Sequence, residues 1–255
     1  MMLDDLRGKA VLVTGASTGI GAAVAQGFGR QGARVAVHYR QSRAAAEEVA
    51  EAIRAAGSEA LTLQGDVTER SALRQIVEAT VEAFGRLDVL VNNAGDVVGR
   101  VPFDAAEDEF IDRVMALNAR AVVTACQLAL RQFERQGNGT IINTTSIAAR
   151  QAGGPGTAIY GPSKAFVQGL TRYLARDYAR AGVRVNAVAP GFVLTPLQER
   201  NTTPEQQARM TRGIALGRAG RPEDLVGAYL FLASDALSGW ITGATIDVNG
   251  GAFFG

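Results

Sequence analysis

Ala10-Val11-Leu12-Val13-Thr14-Gly15-Ala16-Ser17-Thr18-Gly19-Ile20-Gly21 runs from a short apolar stretch through three glycines into Ala22-Ala23-Val24-Ala25. The order is buried strand, glycine turn, helix. Glycine tolerates positive φ and lets a backbone approach a ligand with no Cβ in the way. The helix that follows offers unpaired N–H groups and a positive dipole end, which suit a pyrophosphate. Gly15, Ser17, Thr18, Gly19, Ile20 and Gly21 are therefore candidate phosphate-side contacts. Their spacing is G-x-x-x-G-x-G rather than the general G-x-G-x-x-G fingerprint.

Outward from this turn the chain alternates two textures. Ala10–Val13, Val35–Val37, Ala60–Leu63, Val89–Val91, Thr140–Asn143, Val183–Val188 and Thr245–Val248 read as buried parallel strands. Ala44–Ala56, Ala72–Phe84, Phe110–Gln132 and Ala165–Ala181 carry helical spacing. This alternation predicts an α/β protein, a doubly wound seven-stranded parallel sheet with helices on both faces. No Pro/Ser-rich linker interrupts it, so residues 1–255 read as one domain. The long stretch without a strand pattern, Gly191–Arg221, falls at the carboxyl side of the sheet and is predicted to be a substrate lid, against the alternative of an inert pair of surface helices.

Composition excludes several function classes. Twenty-six Lys and Arg against twenty-five Asp and Glu leave +1, which gives no general attraction to nucleic acid or anionic lipid. One cysteine, Cys126, excludes an intramolecular disulfide framework and a multi-cysteine metal site, and one histidine, His38, argues against a histidine-based triad. Cys126 reads as a small buried hydrophobe. No metal is expected. The polar start MMLDDLRGKA and the lack of a run of about 18 apolar residues predict a cytoplasmic protein without a membrane span.

The end of the second strand bears on which dinucleotide is bound. Folds that select NAD place an acid there for the ribose hydroxyls. This chain reads Val37-His38-Tyr39-Arg40-Gln41-Ser42, with no acid. Arg40 can fork onto a 2′-phosphate, Ser42 can add a hydroxyl, and Tyr39 is placed beside them. Hydrogen bonds to charged groups contribute about 1.5–3 kcal/mol, roughly ten- to a hundred-fold in preference. NADP(H) is therefore favoured over NAD(H), and His38 is taken as a strand-end residue near the adenosine.

Tyr160-Gly161-Pro162-Ser163-Lys164 opens a helix, with Tyr160 and Lys164 on one face. Reducing a ketone by hydride transfer creates an alkoxide that needs a proton, and a tyrosine can supply it. A neighbouring ammonium favours the phenolate and lowers its pKa. Ser146 follows the fifth strand and can hold the carbonyl oxygen beside the phenol. Asn118, in an otherwise apolar helix, must find polar partners and can hold a water leading toward Lys164.

Together these residues resemble the short-chain dehydrogenase/reductase family over essentially the whole chain. Thr14–Gly21 resembles its cofactor turn, and Asn118, Ser146, Tyr160 and Lys164 resemble its catalytic tetrad in order. The resemblance implies a Rossmann-type fold with Tyr160 as general acid/base, Ser146 orienting substrate, Lys164 tuning the phenol and binding the nicotinamide ribose, and Asn118 supporting a water relay. Asn92-Asn93-Ala94-Gly95 resembles the segment that steadies the sheet and borders the adenosine. In Gly65-Asp66-Val67 the resemblance sets Asp66 against the adenine amine. Pro190-Gly191-Phe192-Val193-Leu194-Thr195 resembles the motif that holds the carboxamide, with Pro190, Gly191, Val193 and Thr195 as contacts. Two departures stand out: Thr18 replaces the basic residue of many NADP-preferring relatives, and the interval from Ser146 to Tyr160 is lengthened around Gly153-Gly154-Pro155-Gly156.

The implied activity is hydride transfer between NADP(H) and a ketone or secondary alcohol. The general look is nearest to 3-oxoacyl-[acyl-carrier-protein] reductases, with sugar, glucose or polyol dehydrogenases as the alternative. A reading from another class is a non-catalytic NADP-sensing regulator. Relatives imply a homotetramer, with a small carbonyl or alcohol substrate that a carrier protein can present. Arg100, Arg150 and Arg200 are the basic candidates for such a carrier.

Overall fold

The computed structural model describes Leu3–Gly255. All seven anticipated strands are present: β1 (Ala10–Val13), β2 (Arg34–Tyr39), β3 (Ala60–Gln64), β4 (Val89–Asn92), β5 (Gly139–Thr144), β6 (Val183–Pro190) and β7 (Thr245–Val248). They form one parallel sheet in the order β3-β2-β1-β4-β5-β6-β7. The chain winds one way from β1 to β3, then returns to β4 beside β1. That reversal opens a crevice at the carboxyl ends of the central strands.

Side chains on a strand alternate between faces, and here both faces are buried. Val11, Val13, Val35, Val37, Val89 and Val91 pack under α1 (Gly19–Arg30), α2 (Arg43–Ala55) and the later helix Glu223–Ala233. Ala10, Leu12, Ala36 and Leu90 point the other way, under α3 (Arg70–Phe84) and the helices Ala121–Gln136 and Tyr160–Tyr178. Double-sided burial is why these strands read as unbroken apolar runs rather than alternating ones.

One helix differs from expectation. The stretch foreseen as one helix over Phe110–Gln132 is α4 (Asp108–Met115), a π-helical turn over Ala116–Arg120, and α5 (Ala121–Gln136). The helix expected to open at Tyr160 is α6 (Tyr160–Tyr178), which closes in a 3₁₀ turn at Ala179–Ala181. The segment Gly191–Arg221 contains α7 (Pro196–Asn201) and α8 (Pro204–Arg212), before α9 (Glu223–Ala233) and α10 (Asp235–Ser238). Thr195 caps α7, and Thr203 with Gln206 forms a capping box on α8. Among the described residues no helix is long and apolar enough to cross a membrane.

Candidate active site

The crevice at the switch point is a cleft of about 1020 Å³. Its floor is built by hydrogen bonds that tie β1 to β4. Thr14 Oγ1 accepts the N–H groups of Asn93 and Ala94 at 3.0 and 3.1 Å, while Asn93 Nδ2 donates to the carbonyls of Thr14 and Gly15, both at 3.0 Å. A buried ladder continues inward: Asn92 Nδ2 donates to Asn143 Oδ1 at 2.9 Å, and Asn143 Nδ2 donates to Thr171 Oγ1 at 3.0 Å. Asn143 and Thr171 carry no motif, so sequence reading passed over them.

The glycine turn fits a dinucleotide. A Cβ on Gly21 would lie 2.2 Å from the Gly15 carbonyl oxygen and 2.5 Å from Asn93 Nδ2, so α1 can start against the turn only with glycine there. Gly19 has φ +58°, a conformation that L side chains rarely adopt. The first turn of α1 contains no acid, so nothing in it competes with an anion for its N–H groups.

His38 shapes this turn from below. It is 2% exposed; Gly15 N–H donates to Nδ1 at 3.0 Å, and Nε2 lies 3.1 Å from the Gly65 carbonyl. With Nδ1 accepting, Nε2 carries the proton. Burial pulls the imidazole pKa down, against the Gly65 hydrogen bond and the charge of Asp66, which raise it. His38 thus holds two cofactor loops at a fixed separation, a role that a strand-end position alone did not reveal.

Most anticipated cofactor residues line the cleft, from Arg40 and Ser42 at one end to Pro190, Gly191, Val193 and Thr195 at the other, with Gly15, Ser17, Thr18, Ile20, Val67, Ala94 and Gly95 between. Tyr39 does not. It is 4% exposed and packs with Val35 and Val37, because alternation along β2 sends His38 and Tyr39 to opposite faces. Asp66 spends Oδ1 on the backbone and hydroxyl of Thr68, with Oδ2 3.7 Å from Arg40 Nη1.

Three of the four catalytic candidates, Ser146, Tyr160 and Lys164, line the other side, and Asn118 lies buried behind them. Ser146 follows β5 and accepts the Ala148 N–H at 3.1 Å. Tyr160 opens α6, partly exposed in the cleft. Crowding by protein pushes its phenol up to about 12; the nearby Ser146 hydroxyl pulls down and the charge of Asp96 pushes up. Lys164 is 3% exposed, donates to the Thr144 carbonyl at 3.0 Å, and sits 5.8 Å from the Tyr160 ring centroid. Burial draws its ammonium down to about 8. The ammonium faces the Thr144 carbonyl and the Tyr160 ring, and burial is the largest influence on the phenol.

Asn118 lies in the π-helical turn, fully buried. Its Nδ2 donates to the carbonyls of Asp96 and Val114, at 2.8 and 3.0 Å, and its Oδ1 accepts the Asp96 N–H at 3.2 Å. Both amide donors are committed to protein, so the side chain grips the loop after β4 instead of donating to a water. A Cβ on Gly95 would fall 2.8 Å from Asn118 Oδ1 and 3.0 Å from Lys164 Nζ, which makes Gly95 the spacer between them.

The same loop carries the only described non-glycine residue with positive φ, Val98 at +63°. Such strain in a β-branched residue costs about 1–3 kcal/mol and gathers at functional sites. Arg100 clasps the neighbouring segments, Nε donating to the Asn201 carbonyl at 2.8 Å and Nη1 to the Pro155 carbonyl at 3.0 Å. Arg150 pairs with Asp247 and lies 5.0 Å from the Phe253 ring. Of the three basic candidates for a carrier, only Arg200, with its side chain 68% exposed, is largely free.

A family model described as enoyl-(acyl carrier protein) reductase matches residues 15–252. The chain belongs to the short-chain dehydrogenase/reductase family. Within this family it is 41% identical to 3β-hydroxysteroid dehydrogenase 1 of Eggerthella lenta over 252 residues, covering 98% of this chain and 95% of that one. It is 40% identical to the 3-oxoacyl-[acyl-carrier-protein] reductase FabG of Staphylococcus aureus over 245 residues, 96% of this chain and 98% of that one. The crystal structure of NADH-dependent reductase A1-R′, responsible for alginate metabolism, superposes with a TM-score of 0.90 at 36% identity, covering 99% of this chain and 100% of that one. The protein is thus an oxidoreductase of this family, acting at hydroxyl or carbonyl groups with a nicotinamide dinucleotide.

Proposed function

We propose that the protein is an NADP(H)-dependent reductase of ketones, with Tyr160 as the proton donor. The observation that carries this is the meeting of Ser146, Tyr160 and Lys164 in one cleft with the glycine turn. When bound, the nicotinamide supplies the hydride to the carbonyl carbon. Ser146 holds the carbonyl oxygen, and the Tyr160 hydroxyl gives its proton to that oxygen as the alkoxide forms. A phenol pushed up to about 12 stays protonated at neutral pH and so can serve as the proton donor. Lys164 offers its ammonium to the nicotinamide ribose, and Asn118 and Gly95 fix its surroundings.

Arg40 supports the phosphate assignment. Its side chain is 56% exposed at the adenosine end of the cleft, and Asp66 stands 3.7 Å away. Exposed pairs contribute about 0–1 kcal/mol, less than the roughly 1.5–3 kcal/mol of hydrogen bonds to a charged group. A 2′-phosphate therefore outcompetes Asp66 for the guanidinium. Arg40→Ala is expected to weaken NADPH binding tenfold or more relative to NADH. Equal loss for both coenzymes would contradict the assignment.

FabG and the steroid dehydrogenase, as relatives, support a 3-oxoacyl thioester or another bulky ketone as substrate. The glutamines and arginines of the cleft mouth, Gln151, Gln198, Arg200 and Arg209, favour a second reading, a sugar or polyol. The segment Gly191–Arg221 acts as the lid, clasped by Arg100. Trp240, fully exposed beside the edge strand β7, supports a homotetramer. NADPH oxidation with a panel of ketones, in wild type and Tyr160→Phe, tests the activity. Turnover that falls by a factor of 100 or more in the variant supports it. Equal turnover removes the acid, and tight NADPH binding without any turnover points to the sensing regulator.

A further inference from the structure

Asp96 directly follows Gly95, and its two carboxylate oxygens have different surroundings. Oδ1 accepts the N–H of the strained Val98 at 3.0 Å and Asn201 Nδ2, from the lid helix α7, at 3.5 Å. Oδ2 accepts no hydrogen bond from the described residues. Its nearest cation is Arg200 Nη2 at 4.0 Å, beyond hydrogen-bond range, on a side chain that is 68% exposed.

The Asp96 backbone cannot swing, because Asn118 holds both its N–H and its carbonyl. Its side chain is 32% exposed and lines the cleft with Tyr160. The Tyr160 hydroxyl marks where the substrate oxygen sits, and Asp96 lines the same cleft directly after Gly95, whose Cβ position lies 3.0 Å from Lys164 Nζ. An ionised carboxylate only accepts. A rigidly held acceptor with one idle oxygen suits an O–H group and repels an anion.

We propose that Asp96 is a specificity-determining residue, whose Oδ2 accepts a hydrogen bond from a substrate hydroxyl flanking the reacting carbonyl and whose charge disfavours a carboxylate at that place. This rests on the oxidoreductase reading and names the substrate class as hydroxy-ketones. Oδ1 meanwhile ties the Val98 turn to the lid, so substrate recognition and lid position share one side chain.

The test is kcat/KM with NADPH for three ketones of similar size: hydroxyacetone, 2-butanone and pyruvate. Wild type is expected to prefer hydroxyacetone over 2-butanone by about tenfold or more, with pyruvate poorest. Asp96→Leu is expected to bring the hydroxyacetone-to-2-butanone ratio close to one. Asp96→Asn, which keeps an acceptor but loses the charge, should retain part of that ratio and raise pyruvate relative to 2-butanone by about tenfold. It should also move the alkaline limb of 2-butanone reduction to lower pH, which a purely structural role would not do. Should Asp96→Leu fail to fold, the pyruvate ratio and the pH limb of Asp96→Asn decide. Ratios within about twofold across the proteins, with turnover still dependent on Tyr160, overturn this inference alone. Turnover of none of the three, with larger ketones of the panel still reduced in a Tyr160-dependent way, overturns this inference alone, and turnover of no ketone in that panel overturns it together with the reductase reading.

Discussion

Lys164 holds an ammonium in a site that is 3% exposed, and burial draws its pKa from 10.5 to about 8. A shift of that size corresponds to about 3 kcal/mol against the charged form. The penalty is full below pH 8, where folded and unfolded chains both carry the proton. Between pH 8 and 10.5 only the unfolded chain holds it, so stability rises with pH across that window. Lys164→Met is therefore expected to stabilise the coenzyme-free protein at pH 7 by about 1–3 kcal/mol and to flatten that rise, while turnover collapses. Urea denaturation at pH 7 and pH 10 measures both effects, and a destabilised variant would contradict the account. Residue identity made Lys164 and Tyr160 easy to find in the sequence, because four-residue spacing puts them on one helical face. It did not show that the ammonium faces the Thr144 carbonyl, since that contact joins α6 to β5. Asp96 was overlooked for a similar reason. Its partners Asn118 and Asn201 lie 22 and 105 residues away, and no local pattern records them.

At the scale of elements, the strands were legible because a parallel sheet covered on both faces leaves unbroken apolar runs such as Val89–Val91. The π-helical turn at Ala116–Arg120 was not. A π-helical hydrogen bond spans one more residue than an α-helical one, and periodicity over a window of a dozen residues hardly registers that. In this turn Asn118 reaches both Val114 and the loop after β4, with Gly95 as spacer. Gly95→Ala places a methyl against Asn118 Oδ1 and Lys164 Nζ, 2.8 and 3.0 Å away. The variant is expected to fold, with unfolding free energy lowered by about 1–3 kcal/mol, and to lose at least tenfold in kcat as Lys164 is displaced. Steady-state kinetics beside thermal denaturation check this; unchanged kcat would mean that Gly95 is not the spacer. The misplaced Tyr39 belongs to this scale too. A one-residue step along β2 changes the face, so Tyr39 packs in the core while His38 reaches Gly15 and Gly65.

For the whole molecule, the sheet leaves β7 as an edge strand, with Trp240 fully exposed just before it and Tyr173 71% exposed on α6. Large exposed apolar side chains of this kind mark association surfaces. Light scattering is expected to find a tetramer, and Trp240→Lys to shift it toward smaller species. A wild-type monomer would contradict this arrangement. In the sequence these association surfaces were readable only through the family resemblance, because helical spacing does not distinguish an apolar face turned to the core from one turned to a partner. The segment Gly191–Arg221 was legible only as a stretch without strand pattern, and its two helices became clear through the Thr195 and Thr203 caps. At the centre of the proposed function, Tyr160 delivers the proton as hydride reaches the carbonyl carbon. Single-turnover deuteride transfer from 4-deuterated NADPH to a reducible ketone tests it most directly, in wild type and Tyr160→Phe. The account predicts deuterium on the carbinol carbon, formed at least about 100-fold more slowly in the variant. Deuterated alcohol appearing at the same rate in both proteins would contradict it.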